Sequence, residues 1–217
     1  MFPYIIFDID GTVVDSHQAM LHAYAHTCQT LGLAEDDWNR VFTYVGRRTT
    51  LIFNLYHGLQ GEAYRRAAEI YYNYSLEKGL ADLALYPGMG KLLEALREKG
   101  AVLTVATART EAQLEAVLSA VDIRDYFTHI AACKDYGAEA DKAALCKACI
   151  DYMGIEPRQA VMIGDRKFDI EGGKRAGAQT IGVGYGFALA GELMEAKPDY
   201  IVDSVEELHL LLLEGRA

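Results

Sequence analysis

The chain is poor in the residues that staple or stiffen small folds: 217 residues hold four cysteines, four prolines and one tryptophan. The cysteines, at 28, 133, 146 and 149, are too few and too scattered to make a disulfide framework. Cys146 and Cys149 form a C-x-x-C pair, but no second pair exists to complete a zinc site. The run 141–153 around them has helical apolar spacing, on which residues three apart share a face, so they read as small buried side chains. No uninterrupted apolar run reaches the roughly 18 residues that argue for a membrane span. No basic stretch followed by an apolar segment precedes the first strand, and a cytoplasmic location is expected. Basic charge is scarce as well. Lys and Arg number 21 against 31 Asp and Glu, a net charge of −10 that repels nucleic acid. Neither nucleic acid nor membrane is expected as a partner, and the chain is expected to be a monomer or homodimer.

Hydrophobic residues make up half the sequence, enough for one sizeable core and a small accessory unit. Short apolar, β-rich runs fall at 4–7, 102–106, 129–133, 160–163, 179–183 and 200–202, each near the length of a buried parallel strand. Helical patterns at 89–99, 111–121, 142–153, 168–176 and 205–213 alternate with them, several ending near glycine. This alternation predicts an α/β fold, a doubly wound, Rossmann-like parallel sheet with helices on both faces. Residues 16–81 break the rhythm. They read as helices over 16–31, 35–45, 49–56 and 62–78, punctuated by glycines, and they carry no net charge, so the acidic surplus belongs to the remainder. The expected organisation is a catalytic core of residues 1–15 and 82–217, with an all-helical cap of residues 16–81 inserted after the first strand.

Two acids, Asp8 and Asp10, stand where the first apolar strand runs into a glycine turn at Gly11, the position at which α/β enzymes place their chemistry. Residues two apart in extended chain face the same side, so both carboxylates can serve one site, as nucleophile and as proton shuttle. Thr107 closes the second strand. It is a candidate to bind a phosphate oxygen together with the backbone N–H of Ala108 near the next helix, or else an ordinary turn residue or helix cap. Lys142 opens the helix after the third strand, with Lys134 as its competitor nearer the strand end. In the fourth segment an apolar strand stops at Gly164, and Asp165 and Asp169 follow, four residues apart, around a loop entering a helix. Hard carboxylate oxygens there suit Mg²⁺, although Asp169 would also favour a helix N-terminus electrostatically.

Asp8-Ile-Asp-Gly-Thr-Val13, placed after its apolar strand, resembles the first motif of the haloacid dehalogenase-like phosphatases. The hydroxyl of Thr107, the start of the helix at Lys142 and the Gly164-Asp165…Asp169 segment match the family's remaining motifs in order, except that Ala143 stands where many relatives carry proline. The segment from Gly182 through Ser204 looks like the tail of the phosphoglycolate phosphatase-like members, so the resemblance covers nearly the whole chain. It implies that Asp8 attacks phosphorus to form an aspartyl phosphate and that Asp10 acts as acid and then base. It implies further that Thr107, Lys142 and the backbone from Ile9 to Gly11 hold phosphoryl oxygens, and that Mg²⁺ binds Asp8, the carbonyl of Asp10, Asp165 and Asp169. The substrate is expected to be a small phosphorylated metabolite such as phosphoglycolate. A sugar phosphomutase, pyrophosphatase or nucleotidase on the same scaffold, or a catalytically silent phosphometabolite-binding module, are the alternatives. In the cap, Arg47 is a candidate partner for a substrate carboxylate or a solvated surface residue. The tyrosines there, Tyr71, Tyr72 and Tyr74 among them, are expected to pack between helices, and His22 and His26 to be surface or interhelix polar residues.

Overall fold

A computed structural model describes residues 2–35, 43, 45, 49–134 and 140–215. Arg47, and most of the helix expected over 35–45, lie outside the described residues. Six parallel strands form one sheet in the order β5-β4-β1-β6-β7-β8. These are β1 (Tyr4–Phe7), β4 (Val102–Thr110), β5 (His129–Cys133), β6 (Ala160–Gly164), β7 (Gln179–Val183) and β8 (Tyr200–Val202). The first strand in sequence is thus central in space, and chain order reverses beside it, which places a crevice at the carboxyl ends of β1, β4 and β6.

Strand alternation decides what each sheet face buries. Ile5, Phe7, Leu103, Val105, Val161 and Ile163 point to one face. There α4 (Met89–Glu98), α5 (Glu111–Ala120) and α9 (Val205–Glu214) cover them with Leu92, Leu96, Leu114, Leu118, Leu208 and Leu212. Ile6, Ala106 and Met162 point the other way, onto Cys146, Cys149 and Ile150 of α6 (Lys142–Met153). Both cysteines are therefore core residues, and burial pushes their thiols up, to about 12 and about 11 respectively. The helix α7 (Lys167–Arg175) lies against β6 and β7, and a short α8 (Glu192–Ala196), not expected from the sequence, follows β7.

Between β1 and α4 the chain forms α1 (His17–Leu31), α2 (Leu51–Leu55) and α3 (Gly61–Glu77). These helices enclose a separate apolar cluster of Tyr24, Cys28, Ile52, Phe53, Ala67 and Tyr71. His22 pairs with Asp82 at 2.8 Å and His26 stacks on Tyr74, so both are interhelix polar residues. Two short antiparallel strands, β2 (Val14–Asp15) and β3 (Ala84–Leu85), tie the two chain crossings between the helical unit and the sheet. Two-residue strands carry too little periodicity to be read from sequence. Among the described residues no helix is long and apolar enough to cross a membrane.

The helix α7 approaches the sheet through Gly173, where an added Cβ would stand 2.8 Å from the Cβ of Met162 and 2.9 Å from Cγ2 of Thr180. Gly173→Val is expected to lose about 1–3 kcal/mol through overpacking. An unchanged urea midpoint would show that α7 does not pack this closely.

Candidate active site

The strand β1 ends at Phe7, so Asp8 is the first residue beyond the sheet, still tied to it by its N–H, which donates to the Ile163 carbonyl at 2.9 Å. Asp8 keeps the parity of Ile6 and is directed toward the face covered by α6. There Lys142, the first residue of α6, brings its Nζ to 3.0 Å from Asp8 Oδ1 and 2.8 Å from Asp169 Oδ1. The ammonium also donates to the Ala106 carbonyl at 3.0 Å. Lys142 is only 5 % exposed. Burial alone would discharge it, but Asp169 and Asp8 outweigh that and hold its proton more tightly than in a free lysine. Gly172 lets α7 lie over this side chain, since a Cβ there would come 2.7 Å from the Cβ and Cγ of Lys142.

Asp165 and Asp169 come from the turn between β6 and α7. Asp165 is fully buried; its Oδ1 accepts from Thr12 Oγ1 at 3.2 Å and its Oδ2 from the Phe187 N–H at 2.7 Å. Asp169 stands at the helix N-terminus, as its position suggested, and also faces the acid cluster. It is the third residue of α7, with Oδ2 accepting the Arg166 N–H at 3.0 Å, while Oδ1 faces Lys142. That Oδ1 is held by the Lys142 ammonium alone among the described residues. Carboxylate oxygens of Asp8, Asp165 and Asp169 all lie within 4.8 Å of one another.

Three carboxylates and one ammonium leave a charge of −2 when all are ionised, at a place sheltered from water. Burial, with mutual repulsion added, raises Asp165 well above the usual carboxylate range, and burial lifts Asp8 to about 7 against the pull of Lys142. An all-oxygen donor set and a residual charge of −2 fit a small divalent cation of the Mg²⁺ kind.

Asp10 departs from the simple parity argument. The chain turns after Asp8, and the side chain of Asp10 meets Arg109, which donates from Nε to Oδ2 and from Nη2 to Oδ1, both at 2.7 Å. Burial opposes the charge, but the guanidinium outweighs it and holds Asp10 below the usual carboxylate range. Its carboxylate therefore stands outside the three-acid cluster, facing the same cavity as Asp8.

Two expectations need correction. The strand β4 does not end at Thr107; it continues through an irregularity to Thr110, and α5 begins at Glu111 under a capping box of Thr110 and Gln113. Ala108 thus precedes the helix by three residues and gains little from its dipole, while Thr107 Oγ1 accepts the Arg109 N–H at 3.3 Å. Gly11 does not offer its N–H, which donates to the Val14 carbonyl at 2.9 Å. Its contribution is the absent side chain: at φ 81°, a Cβ would overlap the Asp165 carboxylate and the Phe187 ring. Lys134, the competitor of Lys142, has no ion pair among the described residues.

Sequence reasoning missed Arg109, although it stands two residues after Thr107 on a recognised strand end. It also missed Tyr71 and Tyr72 of α3, which line the cavity with Met20, Val45 and Thr49. A third omission is Arg166, 1 % exposed, whose guanidinium bonds Glu192 at 2.9 Å from the core side and the Val45 carbonyl from the helical side.

With this geometry established, its kinship is clear. A parallel sheet with acids at the ends of β1 and β6 and a lysine between them defines a doubly wound α/β protein whose site lies at the carboxyl edge of the sheet. The chain belongs to the haloacid dehalogenase-like hydrolases, whose family model matches residues 5–183. It is 28 % identical over 211 residues to a 5'-nucleotidase of Pseudomonas aeruginosa, covering 97 % of this chain and 96 % of that one. It is equally 28 % identical over 208 residues to a phosphoglycolate phosphatase of Aquifex aeolicus, covering 96 % and 95 %. The crystal structure of what is termed a predicted phosphatase from Clostridium acetobutylicum superposes with a TM-score of 0.89 at 29 % identity over 99 % of each chain.

The raised acids make stability depend on pH in a defined direction. A carboxyl whose folded pKa lies above its unfolded value binds more protons when folded, so stability falls as pH rises from about 4 through about 7. Without divalent cation, the melting temperature is expected to drop between pH 5.5 and 8, and millimolar MgCl₂ is expected to restore much of it at pH 8 only. A Mg²⁺ effect equal at both values would contradict the assignment.

Proposed function

We propose that this hydrolase is a Mg²⁺-dependent phosphatase that releases phosphate from a small, phosphoglycolate-like phosphorylated metabolite through an aspartyl phosphate on Asp8. The observation that carries the reading is the position of Asp8: a carboxylate at the mouth of β1, facing a cavity, against a buried lysine and beside two further acids. Asp8, Asp165 and Asp169 would hold the Mg²⁺ with the carbonyl of Asp10, and the ion would neutralise phosphoryl oxygens that four carboxylates otherwise repel.

An Asp8 oxygen attacks phosphorus in line, the bond to the leaving oxygen breaks, and Asp10 hands that oxygen a proton that a monoanionic ester brings with it. Water then attacks the phosphorus of the acyl phosphate, Asp10 accepts its proton, and Asp8 is regenerated. An acid held ionised by Arg109 is well suited to the second half. Lys142 stabilises charge moving onto phosphoryl oxygens, and Thr107 lies on the cavity wall to receive one of them.

Residues 16–81 act as the cap over the core of 1–15 and 82–217, and they supply Met20, Tyr71 and Tyr72 to the cavity. The cavity they share with the core is partly open and presents the hydroxyls of Thr49, Tyr71, Tyr72 and Thr107 beside the Arg109 guanidinium, a polar lining that suits a small, polar leaving group. A nucleoside leaving group is the alternative that the resemblance to a 5'-nucleotidase suggests.

A panel of phosphorylated metabolites, ranked by kcat/KM with MgCl₂, tests this reading. Compact phosphomonoesters should lead, EDTA should abolish turnover, and Asp8→Asn should show none. Lys142→Met should lower kcat by about 10²–10³-fold. A nucleotide at the head of the ranking would select the nucleotidase alternative, and no turnover with any substrate or metal would select a silent binding module.

A further inference from the structure

Arg109 has more donors than the protein uses. A guanidinium carries five N–H groups. Two of them, Nε–H and one on Nη2, form the fork on Asp10, and the remaining three have no hydrogen-bond partner among the described residues. The side chain is only 15 % exposed and lines the cavity shared by Asp8 and Asp10. Unsatisfied donors in such a place cost free energy unless a ligand or trapped water meets them. The free edge, one N–H from each terminal nitrogen, is the one that matches a carboxylate bidentately.

We propose that Arg109 is the specificity-determining residue of this site, receiving a carboxylate of the substrate on that free edge while its other edge keeps Asp10 in place. This rests on the phosphatase reading for the identity of the transferred group and adds the class of leaving group: a short hydroxy acid. Three features support it. Arg109 is the one cation among the described residues that line the cavity. The acids there would repel any second anion on the substrate unless a cation offset them. Arg109 lines the same cavity as Asp8 and forks onto Asp10, two residues further along the chain, so a short spacer suffices between a phosphoryl group at Asp8 and an anion on the free edge of Arg109. Another part of the wall is formed by Tyr71 and Tyr72. Burial keeps the Tyr71 phenol neutral, so this wall offers hydroxyls without adding negative charge.

The test is binding of non-hydrolysable ligands by calorimetry in MgCl₂. Phosphonoacetate carries the carboxylate, and 2-oxopropylphosphonate replaces it with a neutral group of the same shape. Wild type is expected to bind phosphonoacetate about tenfold or more tightly than the ketone, the size of a charge-assisted fork. Arg109→Gln should reduce that preference to about threefold or less, and Arg109→Lys, a point charge without a fork, should give an intermediate value. Equal binding of the two ligands by wild type overturns the proposal even if Arg109→Gln fails to fold. So does a preference that survives in Arg109→Gln or Arg109→Lys undiminished. Tighter, Arg109-dependent binding of methylenebisphosphonate overturns the carboxylate assignment in favour of a second phosphoryl group. An Arg109-dependent preference in a protein that releases phosphate from nothing would sink the phosphatase reading alone. Turnover without the preference would sink this inference alone.

Discussion

The structure depends on balancing charge at the mouth of a parallel sheet. Four carboxylates, those of Asp8, Asp10, Asp165 and Asp169, converge where β1 and β6 end, with little water to screen them. Coulomb repulsion between buried acids a few ångströms apart is large enough to unfold a marginally stable domain if nothing opposes it. Two cations oppose it, each with a separate task. Arg109 cancels Asp10 through a planar fork. Lys142 offsets one charge of the remaining three and leaves −2. Burial, with mutual repulsion added, favours protons on these acids, which raises Asp8 and Asp165 above the usual carboxylate range.

That balance explains several choices in the sequence. Gly164 and Gly172 let α7 come close enough to bring Asp169 over Lys142, because side chains at either position would overlap those residues. Gly11 and Gly186 do the same for Asp165, which is gripped between Thr12 and the Phe187 N–H. Phe187 in turn forms a small apolar cluster with Met20 and Val45 of the helical unit. The fully buried acid is therefore one hydrogen bond away from the contact between core and helices. Arg166, the next residue, crosses the same boundary to the Val45 carbonyl. The position of the helical unit and the geometry of the acids are joined through residues 165 and 166.

Much of the fold was legible because buried parallel strands read as short apolar runs, and all six lie where those runs stand. The convergence of Asp8, Lys142, Asp165 and Asp169 was legible too, since each follows or precedes such a run at the same sheet edge. What escaped depends on side chains meeting across long sequence separation. Nothing local says that Arg109 finds Asp10, 99 residues away, or that Arg166 finds Glu192. Thr107 was placed at a strand end because the apolar run stops there, but the backbone continues pairing with β5 to Thr110 after an irregularity that composition does not announce. The short β2–β3 pair and α8 fall below the length at which periodicity carries information.

The central claim is that the carboxylate of Asp8 takes the phosphoryl group itself. The most direct test is acid quench of the enzyme during turnover of a compact phosphomonoester in MgCl₂, followed by mass spectrometry of the peptide that begins the chain. A phosphoryl group on residue 8, formed and lost at rates that account for kcat, is the predicted result. Steady turnover with no adduct at that residue, or with the adduct on another side chain, would contradict it.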